Sequence, residues 1–308
     1  MSQVEAPRTL LAELSEVDVH PLQRWLEIIR PKVIGLVVFT GLPALLLGQA
    51  TWPSATQAFF VLLGTALIGG ACSAFNAVIE RESDARMART RQRPLPAAAL
   101  SPVMVTTYGA VLTVLGTALL YAFGNSLAAL VGLGTIAFYV GVYTAWLKPR
   151  TPQNIVIGGA AGSTAPLIAS AAVGDGISVG AVILFLIVFL WTPPHFWAIA
   201  IFRKREYELG GFPMMPSVVG NQATRWRSLG YTALLLPVTL APVWLGQLSW
   251  VYGVVAVVVG VGFLISVARS IVLDLPAVDR QVFRHSIAHL SLLFGAMLLD
   301  LVVLRILE

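Results

Sequence analysis

Nine stretches of this chain, near residues 33–50, 56–80, 101–121, 126–147, 153–173, 178–201, 229–248, 250–273 and 285–306, are apolar for long enough to cross roughly 30 Å of hydrocarbon. A backbone in hydrocarbon has no water to bond, so each stretch is expected to satisfy its own N–H and C=O groups as a helix. The rest of the chain cannot offset that bias. Only 11% of the 308 residues are charged and 57% are hydrophobic, too little polar surface to cover a soluble globule of this size. Gly158, Gly159, Gly162 and Pro166 fall inside the apolar runs, where they suit close helix packing and local kinks. The expected fold is all-α and integral to the membrane, with nine transmembrane helices in one domain over residues 21–308. A polar tail over residues 1–20 precedes it. That tail carries Glu5, Glu13, Glu16 and Asp18 and lacks the basic start and apolar core of a secretory signal.

Basic residues occupy alternate loops. Arg8, Arg24, Arg30 and Lys32 precede the first run, and Arg81, Arg86, Arg89, Arg91 and Arg93 follow the second. Lys148 and Arg150 follow the fourth, Arg203, Lys204, Arg205, Arg225 and Arg227 the sixth, and Arg269, Arg280 and Arg284 the eighth. The connections after the first, third, fifth and seventh runs hold none, which leaves only Arg305 on the opposite side. The positive-inside rule then predicts a multi-pass protein of the cell inner membrane, N-terminus cytoplasmic and C-terminus outside. The formal charge of +5 is thereby explained by topology, and the partner it implies is the lipid bilayer, with no nucleic acid. Cys72, the single cysteine, excludes an internal disulfide and a cysteine metal cluster, and reads as a small core residue.

The most informative stretch runs from Asn76 to Pro96. Asn76, Glu80 and Asp84 are spaced four residues apart, which on a helix lines three oxygen-bearing side chains along one face at successive turns. Hard oxygen donors in such a row suit Mg2+, which keeps its other positions for water or phosphate oxygens. Arg86, Arg89, Arg91 and Arg93 follow. Guanidinium forks bind phosphate bidentately, so acids for a metal beside arginines for its anion describe a metal–diphosphate site. Taken alone, the arginines also serve as topology signals, with the acids as their ion-pair partners at a helix end.

A second stretch, from Trp191 to Pro216, closes the sixth run as the first closes the second. Helices four apart point the same way, so both motifs emerge at one face, in the pattern of a parallel pseudo-repeat whose two acid-and-arginine clusters face each other. His195 and Glu206 are 11 residues apart, about three turns, and share a face if the helix continues through 206. Two readings of His195 stand at this point: a functional group in a costly intramembrane position, or a hydrogen-bonding partner of a neighbouring helix. Tyr143, Trp146, Lys148, Arg150 and Asn154 add cations and an amide on the same side, much of it explicable as aromatic belt and topology signal. His285 and His289, one turn apart with no third ligand, read as interfacial structural residues. Residues 21–30, where Trp25, Leu26, Ile28 and Ile29 alternate with Arg24, Glu27 and Arg30, read either as a short interfacial helix or as a plain polar tail.

These residues resemble the UbiA superfamily of intramembrane prenyltransferases, whose acidic motifs end helices 2 and 6 of a nine-helix bundle, and within it the branch that farnesylates haem. The likeness rests on Asn76, Glu80, Asp84, Met87, Arg89, Thr90 and the Arg93-Pro94-Leu95 run, and on Lys148 with the Thr151-Pro152-Gln153-Asn154-Ile155 loop. It rests further on Pro194-His195-Phe196-Trp197-Ala198 and Gly211-Phe212-Pro213-Met214-Met215-Pro216, and it covers about residues 22–306. It implies transfer of the farnesyl group of farnesyl diphosphate to a vinyl group of haem B, giving haem O, with Mg2+ as cofactor. Asn76, Glu80 and Asp84 would hold the metal, with Glu206 the facing acid. Arg89, Arg93, Lys148, Arg203 and Lys204 would neutralise the leaving diphosphate, Asn154 and Tyr207 would add substrate contacts, and His195 would lie on the haem side. Haem A synthase and oxidase assembly proteins are the protein partners it suggests. Glu80 and Glu206 depart from the family, which often has Asp there; the charge stays but each carboxylate moves outward by one methylene. His285 and His289 fall where relatives look aromatic or apolar, so the resemblance lends them no role.

Two rivals follow from the same residues. One keeps the chemistry but takes a quinone-precursor or chlorophyll-type ring as acceptor, against the Pro-His-Phe-Trp and Gly-Phe-Pro-Met-Met-Pro segments. The other is a transporter, which would carry its ionisable residues near the midplane on broken helices, whereas the acids here fall at helix ends.

Overall fold

A computed structural model describes residues 21–307 apart from 48, 50 and 51; the polar tail expected over residues 1–20 lies outside the described residues. Among the described residues every regular element is helical. A short helix α1 (Pro21–Ile29) precedes the first apolar run, which begins as α2 (Pro31–Gly41), and the two meet at 47°. Residues 21–30 therefore take the helical of their two readings. Next come α3 (Ala55–Arg86), α4 (Pro102–Phe123) and α5 (Ser126–Ala137), whose last turns continue as a π-helix over Phe138–Leu147. The fifth run is divided between α6 (Asn154–Gly162) and α7 (Ala165–Val173). Then α8 (Val179–Phe202) is followed by two short helices, α9 (Lys204–Leu209) and α10 (Met215–Val219). Last come α11 (Asn221–Trp244), α12 (Trp250–Leu273) and α13 (Pro276–Leu307).

Seven of the described spans are long and apolar enough to cross a membrane by themselves, and the bent α1–α2 pair makes an eighth. The remaining expected run corresponds to α11, which has the length but carries Arg225, Arg227 and two internal prolines and does not reach the same apolarity. Several boundaries move relative to the sequence reading, the second run ending at Arg86 rather than 80. The runs expected from 229 and 285 begin at 221 and 276, because polar turns holding Arg225 and Asp279 extend each helix beyond its apolar stretch.

Helix starts are closed by side chains: Ser54, Ser101, Asn125, Ser178 and Ser249 each accept a hydrogen bond from a first-turn N–H. At the α6–α7 break, Ser163 and Thr164 donate to the carbonyls of Gly159 and Ala161 (2.8 and 2.9 Å), supplying in hydrocarbon what the interrupted helix cannot. Helices α3 and α4 approach most closely through glycine: a Cβ at Gly116 would stand 3.1 Å from the Gly64 carbonyl oxygen. Helices α3, α4 and α5 pack in sequence on one side, and α8, α11, α12 and α13 on the other. The α6–α7 span and α2 join the two groups, α6 against α8 and both α2 and α7 against α3.

Candidate active site

Because α3 runs on to Arg86, Asn76, Glu80 and Asp84 stand on one continuous helix at successive turns, with residue exposures of 0%, 6% and 2%. Buried carboxylates require partners. Lys148 Nζ lies 2.5 Å from Glu80 Oε1, and Arg93 Nη1 lies 2.8 Å from Asp84 Oδ2. Arg30 Nη2 donates to Asn76 Oδ1 at 3.0 Å, while Asn76 Nδ2 donates to Thr144 Oγ1 at 3.3 Å.

Lys148 and Thr144 reach α3 because of the π-helix. The Lys148 N–H closes onto the Tyr143 carbonyl, five residues back, at 2.9 Å. Ten residues of π-helix is long for an element that usually appears as a single widened turn, often at functional sites. Gly158 on α6 lies so close to the Tyr143 ring that even a methyl group would not fit, which fixes the ring beside Lys148. The ammonium of Lys148 also sits 4.8 Å from the centre of the Phe212 ring.

After α3 the chain doubles back. Thr90 donates its hydroxyl hydrogen to the Asp84 carbonyl oxygen at 2.8 Å, capping the helix end and returning Arg93 to Asp84. Burial lowers the pKa of the Arg93 guanidinium; Arg30 and Arg89 push the same way and Asp84 opposes them.

The second motif differs from expectation in one respect. Helix α8 ends at Phe202, Arg203 leaves helical geometry (φ −116°, ψ 20°), and α9 starts afresh at Lys204. The continuous face expected to join His195 to Glu206 is therefore interrupted. The break turns Arg203 back so that its Nη1 lies 2.8 Å from Glu206 Oε1. Glu206 Oε2 stands 3.8 Å from Arg89 Nε, is itself buried, and has no hydrogen-bond partner. The two motif loops meet: a Cβ at Gly210 would lie 3.0 Å from the Met87 sulfur. Lys204 is half-buried beside Arg203 and forms no ion pair among the described residues. Five cations (Arg30, Arg89, Arg93, Lys148 and Arg203) thus gather around three carboxylates (Glu80, Asp84 and Glu206), a surplus of positive charge suited to a polyanion. Among the described residues no three His, Cys, Asp or Glu side chains are close enough to share a metal ion.

Of the other expected residues, Asn154 is buried, donates Nδ2 to the Thr151 carbonyl at 2.5 Å, and leaves Oδ1 without a partner. Tyr207 packs against a cluster containing Met87, Trp197 and Phe212. Trp146 is exposed and Arg150 donates to the carbonyls of Ala145 and Trp146, so both serve the end of the π-helix rather than the site. His195 Nδ1 is 2.7 Å from Ser286 Oγ on α13, and its ring stacks on Trp191 at 4.2 Å. A hydrogen bond to a neighbouring helix, one of the two readings of this residue, is therefore present. His285 and His289 both turn to α12, toward Ser266 Oγ at 2.7 Å and the Val259 carbonyl at 3.3 Å. A cleft lined by Ile34, Ile68, Cys72, Tyr139, Ala165 and Ile168 lies along α2 and α3, and its Cys72 stands one turn before Asn76 on α3.

Residues 37–293 match the UbiA prenyltransferase family. The chain belongs to that family. It is 42% identical over 287 residues to a protoheme IX farnesyltransferase of Albidiferax ferrireducens, an alignment that takes in 92% of this chain and 96% of the relative. In three dimensions it is similar to a digeranylgeranylglyceryl phosphate synthase, with TM-score 0.75 and 18% identity over 91% of this chain and 98% of the other. It is also similar to a UbiA homolog from Archaeoglobus fulgidus bound to DMAPP and Mg2+, with TM-score 0.63 and 16% identity over 89% and 99%. The protein is accordingly a multi-pass membrane enzyme that transfers prenyl groups.

The structure brings the expected acids and most of the expected cations together, and adds Arg30, Thr144 and the π-helix, which the sequence reading of the site lacks. In the sequence, Arg30 reads as a topology charge. Its signal was the Arg30-Pro31 pair, since a residue before proline is driven out of the α region and must end a helix.

Proposed function

We propose that this enzyme transfers the farnesyl group of farnesyl diphosphate to a vinyl group of protohaem IX (haem B), giving haem O. The observation that carries the reading is the buried Asn76–Glu80–Asp84 ladder, each member held by a cation, one turn along α3 from the apolar cleft that Cys72 and Ser73 line. The acceptor is supported by the relative at 42% identity.

The donor set fits a divalent cation. It offers hard oxygens on one helix face and, from the second motif, the buried Oε2 of Glu206, which has no hydrogen-bond partner. With no preformed cluster of three acids, the protein's ligands suit a metal that arrives with the substrate and takes phosphate oxygens in its remaining positions. Asn76, Glu80, Asp84 and Glu206 would hold Mg2+, which supplies neutralising charge to the leaving diphosphate. Arg89, Arg93, Lys148 and Arg203 exchange carboxylate oxygens for diphosphate oxygens, and Lys204 joins them on the diphosphate. They stabilise the charge that grows there as the allylic C–O bond ionises. Tyr143 and Phe212 present aromatic surface beside Lys148, with Tyr207 in the cluster that holds Phe212, and this surface shelters the allylic cation from water. The farnesyl tail lies in the cleft along α2 and α3. The vinyl group attacks the allylic carbon, and the cation left beside the porphyrin takes up water and loses a proton, completing a hydroxyethylfarnesyl side chain. Asn154 Oδ1 is free to accept a hydrogen bond from a substrate.

His195 would seat the porphyrin by way of the Trp191–His195–Phe283 stack. The test offers haem B and an aromatic quinone precursor together to wild-type protein and to His195→Ala. Wild type is expected to alkylate haem B. The variant is expected to bind farnesyl diphosphate normally and transfer to haem B at least tenfold more slowly, about 1.4 kcal/mol. Prenylation of the quinone precursor in preference to haem would contradict the acceptor assignment. Loss of activity in step with loss of folded protein would leave His195 a structural hydrogen-bonding residue.

A further inference from the structure

Arg30 occupies a backbone conformation that arginine rarely takes. Its φ of 55° and ψ of 64° are left-handed, where a Cβ crowds the following carbonyl and glycine is the residue without penalty. Pro31 requires a bend here, since it bars the α region at residue 30, but a glycine would make the same bend unstrained. Both flanks are anchored. On α1, Ile28 is buried and Trp25 meets Tyr108 edge-on at 4.9 Å, while α2 packs on α3. The bend therefore holds a long, forked cation at a fixed point, and that cation reaches across 46 residues of sequence to Asn76 Oδ1 at 3.0 Å. This is the oxygen that a metal would use. Arg30 is also near enough to Arg93 for the two guanidinium groups to repel. An anion between them replaces that repulsion with two attractions.

We infer that Arg30 is a diphosphate-binding residue, which passes Asn76 Oδ1 to the metal as its guanidinium takes up a phosphate oxygen. The inference rests on the reading of this site as a metal–diphosphate site. Strained non-glycine backbone of this kind is retained where the surroundings over-determine it, commonly at ligand clamps.

The test measures binding of the S-thiolo analogue of farnesyl diphosphate, in the presence of Mg2+, to detergent-purified wild type, Arg30→Gly, Arg30→Ala and Arg30→Lys. Binding of Mn2+ without the analogue is followed in parallel by its spin-resonance signal. Arg30→Gly and Arg30→Ala are expected to bind the analogue about tenfold to a hundredfold more weakly, the loss of a charge-assisted contact. Arg30→Lys recovers part of that loss, since an ammonium keeps the charge without the fork. Binding of Mn2+ alone stays the same or tightens, because Asn76 Oδ1 has lost a competitor. Arg30→Gly melts no lower than Arg30→Ala, since glycine relieves the left-handed strain. Weakening of both Mn2+ and analogue by similar factors would show that Arg30 merely orients Asn76, and would overturn the inference. So would wild-type affinity for the analogue in both truncated variants. If wild type itself binds no analogue with Mg2+, the metal–diphosphate reading fails first, a result distinct from either.

Discussion

Asp84→Ala is expected to lower prenyl transfer roughly 10³-fold, ~4 kcal/mol of transition-state stabilisation, with Glu80→Gln close behind. Both side chains are buried oxygen donors on the α3 face that meets the cationic cluster, and neither belongs to the apolar core. The structural cost of losing them is smaller than their burial suggests. Arg93, the partner Asp84 would abandon, has a side chain 30% exposed and can be hydrated, so breaking this pair costs the fold about 1 kcal/mol or less. The cap on α3 also survives, because Thr90 bonds the Asp84 backbone carbonyl and not its side chain. Turnover at saturating Mg2+ and melting temperature, measured on the same preparations, separate the two effects. Near-native turnover in either variant removes that residue from the metal site, and a collapse in melting temperature matching the loss of turnover would assign it to the fold.

Arg225→Ala has the opposite signature, with the largest expected loss of stability in the molecule. Arg225 and Asp279 each have a side chain only 2% exposed, and the guanidinium is bidentate: Nε to Oδ1 at 2.9 Å and Nη2 to Oδ2 at 2.7 Å. Its Nη1 also bonds Asp274, the left-handed residue that ends α12. One guanidinium thus ties α11, α13 and the turn between α12 and α13. Removing it leaves Asp279 buried without a counter-charge, and one-sided removal of a buried pair costs about 3–5 kcal/mol. The pair itself need not be stabilising, because desolvation offsets its attraction. The double variant Arg225→Met/Asp279→Leu is therefore expected to melt well above Arg225→Ala and near wild type. Thermal unfolding in detergent decides it. Equal melting of Arg225→Ala and wild type would show that Asp279 finds water at the helix end.

The contrast between these arginines shows what the sequence carried. Apolar length and alternate-loop charge are local, one-dimensional signals, and the expected runs correspond to helical segments for that reason. The spacing of Asn76, Glu80 and Asp84 is equally local, since one helix suffices to align them. Arg225 and Arg93 look alike in sequence, as loop cations after an apolar run. Which is buried in a structural clamp and which sits over a functional acid depends on α13 and on the return of the loop after α3. Neither is encoded at the arginine itself. The π-helix was illegible for a similar reason: Phe138–Leu147 is apolar and aromatic like any membrane helix, and only the fit of Tyr143 against Gly158 marks the widened turn. The break at Arg203 lies within a run of charges, Arg203-Lys204-Arg205-Glu206, with no proline or glycine to announce it.

The claim that most needs testing is that these cations and acids drive farnesyl transfer to a porphyrin. Purified protein is incubated with farnesyl diphosphate, Mg2+ and haem B, and the extracted haem is weighed by mass spectrometry, with an EDTA-treated sample alongside. The expected product is a haem heavier by one farnesyl group and one hydroxyl group, formed with Mg2+ and absent after EDTA. Haem B recovered at its original mass while the protein prenylates another ring, or a product formed equally well in EDTA, would contradict it.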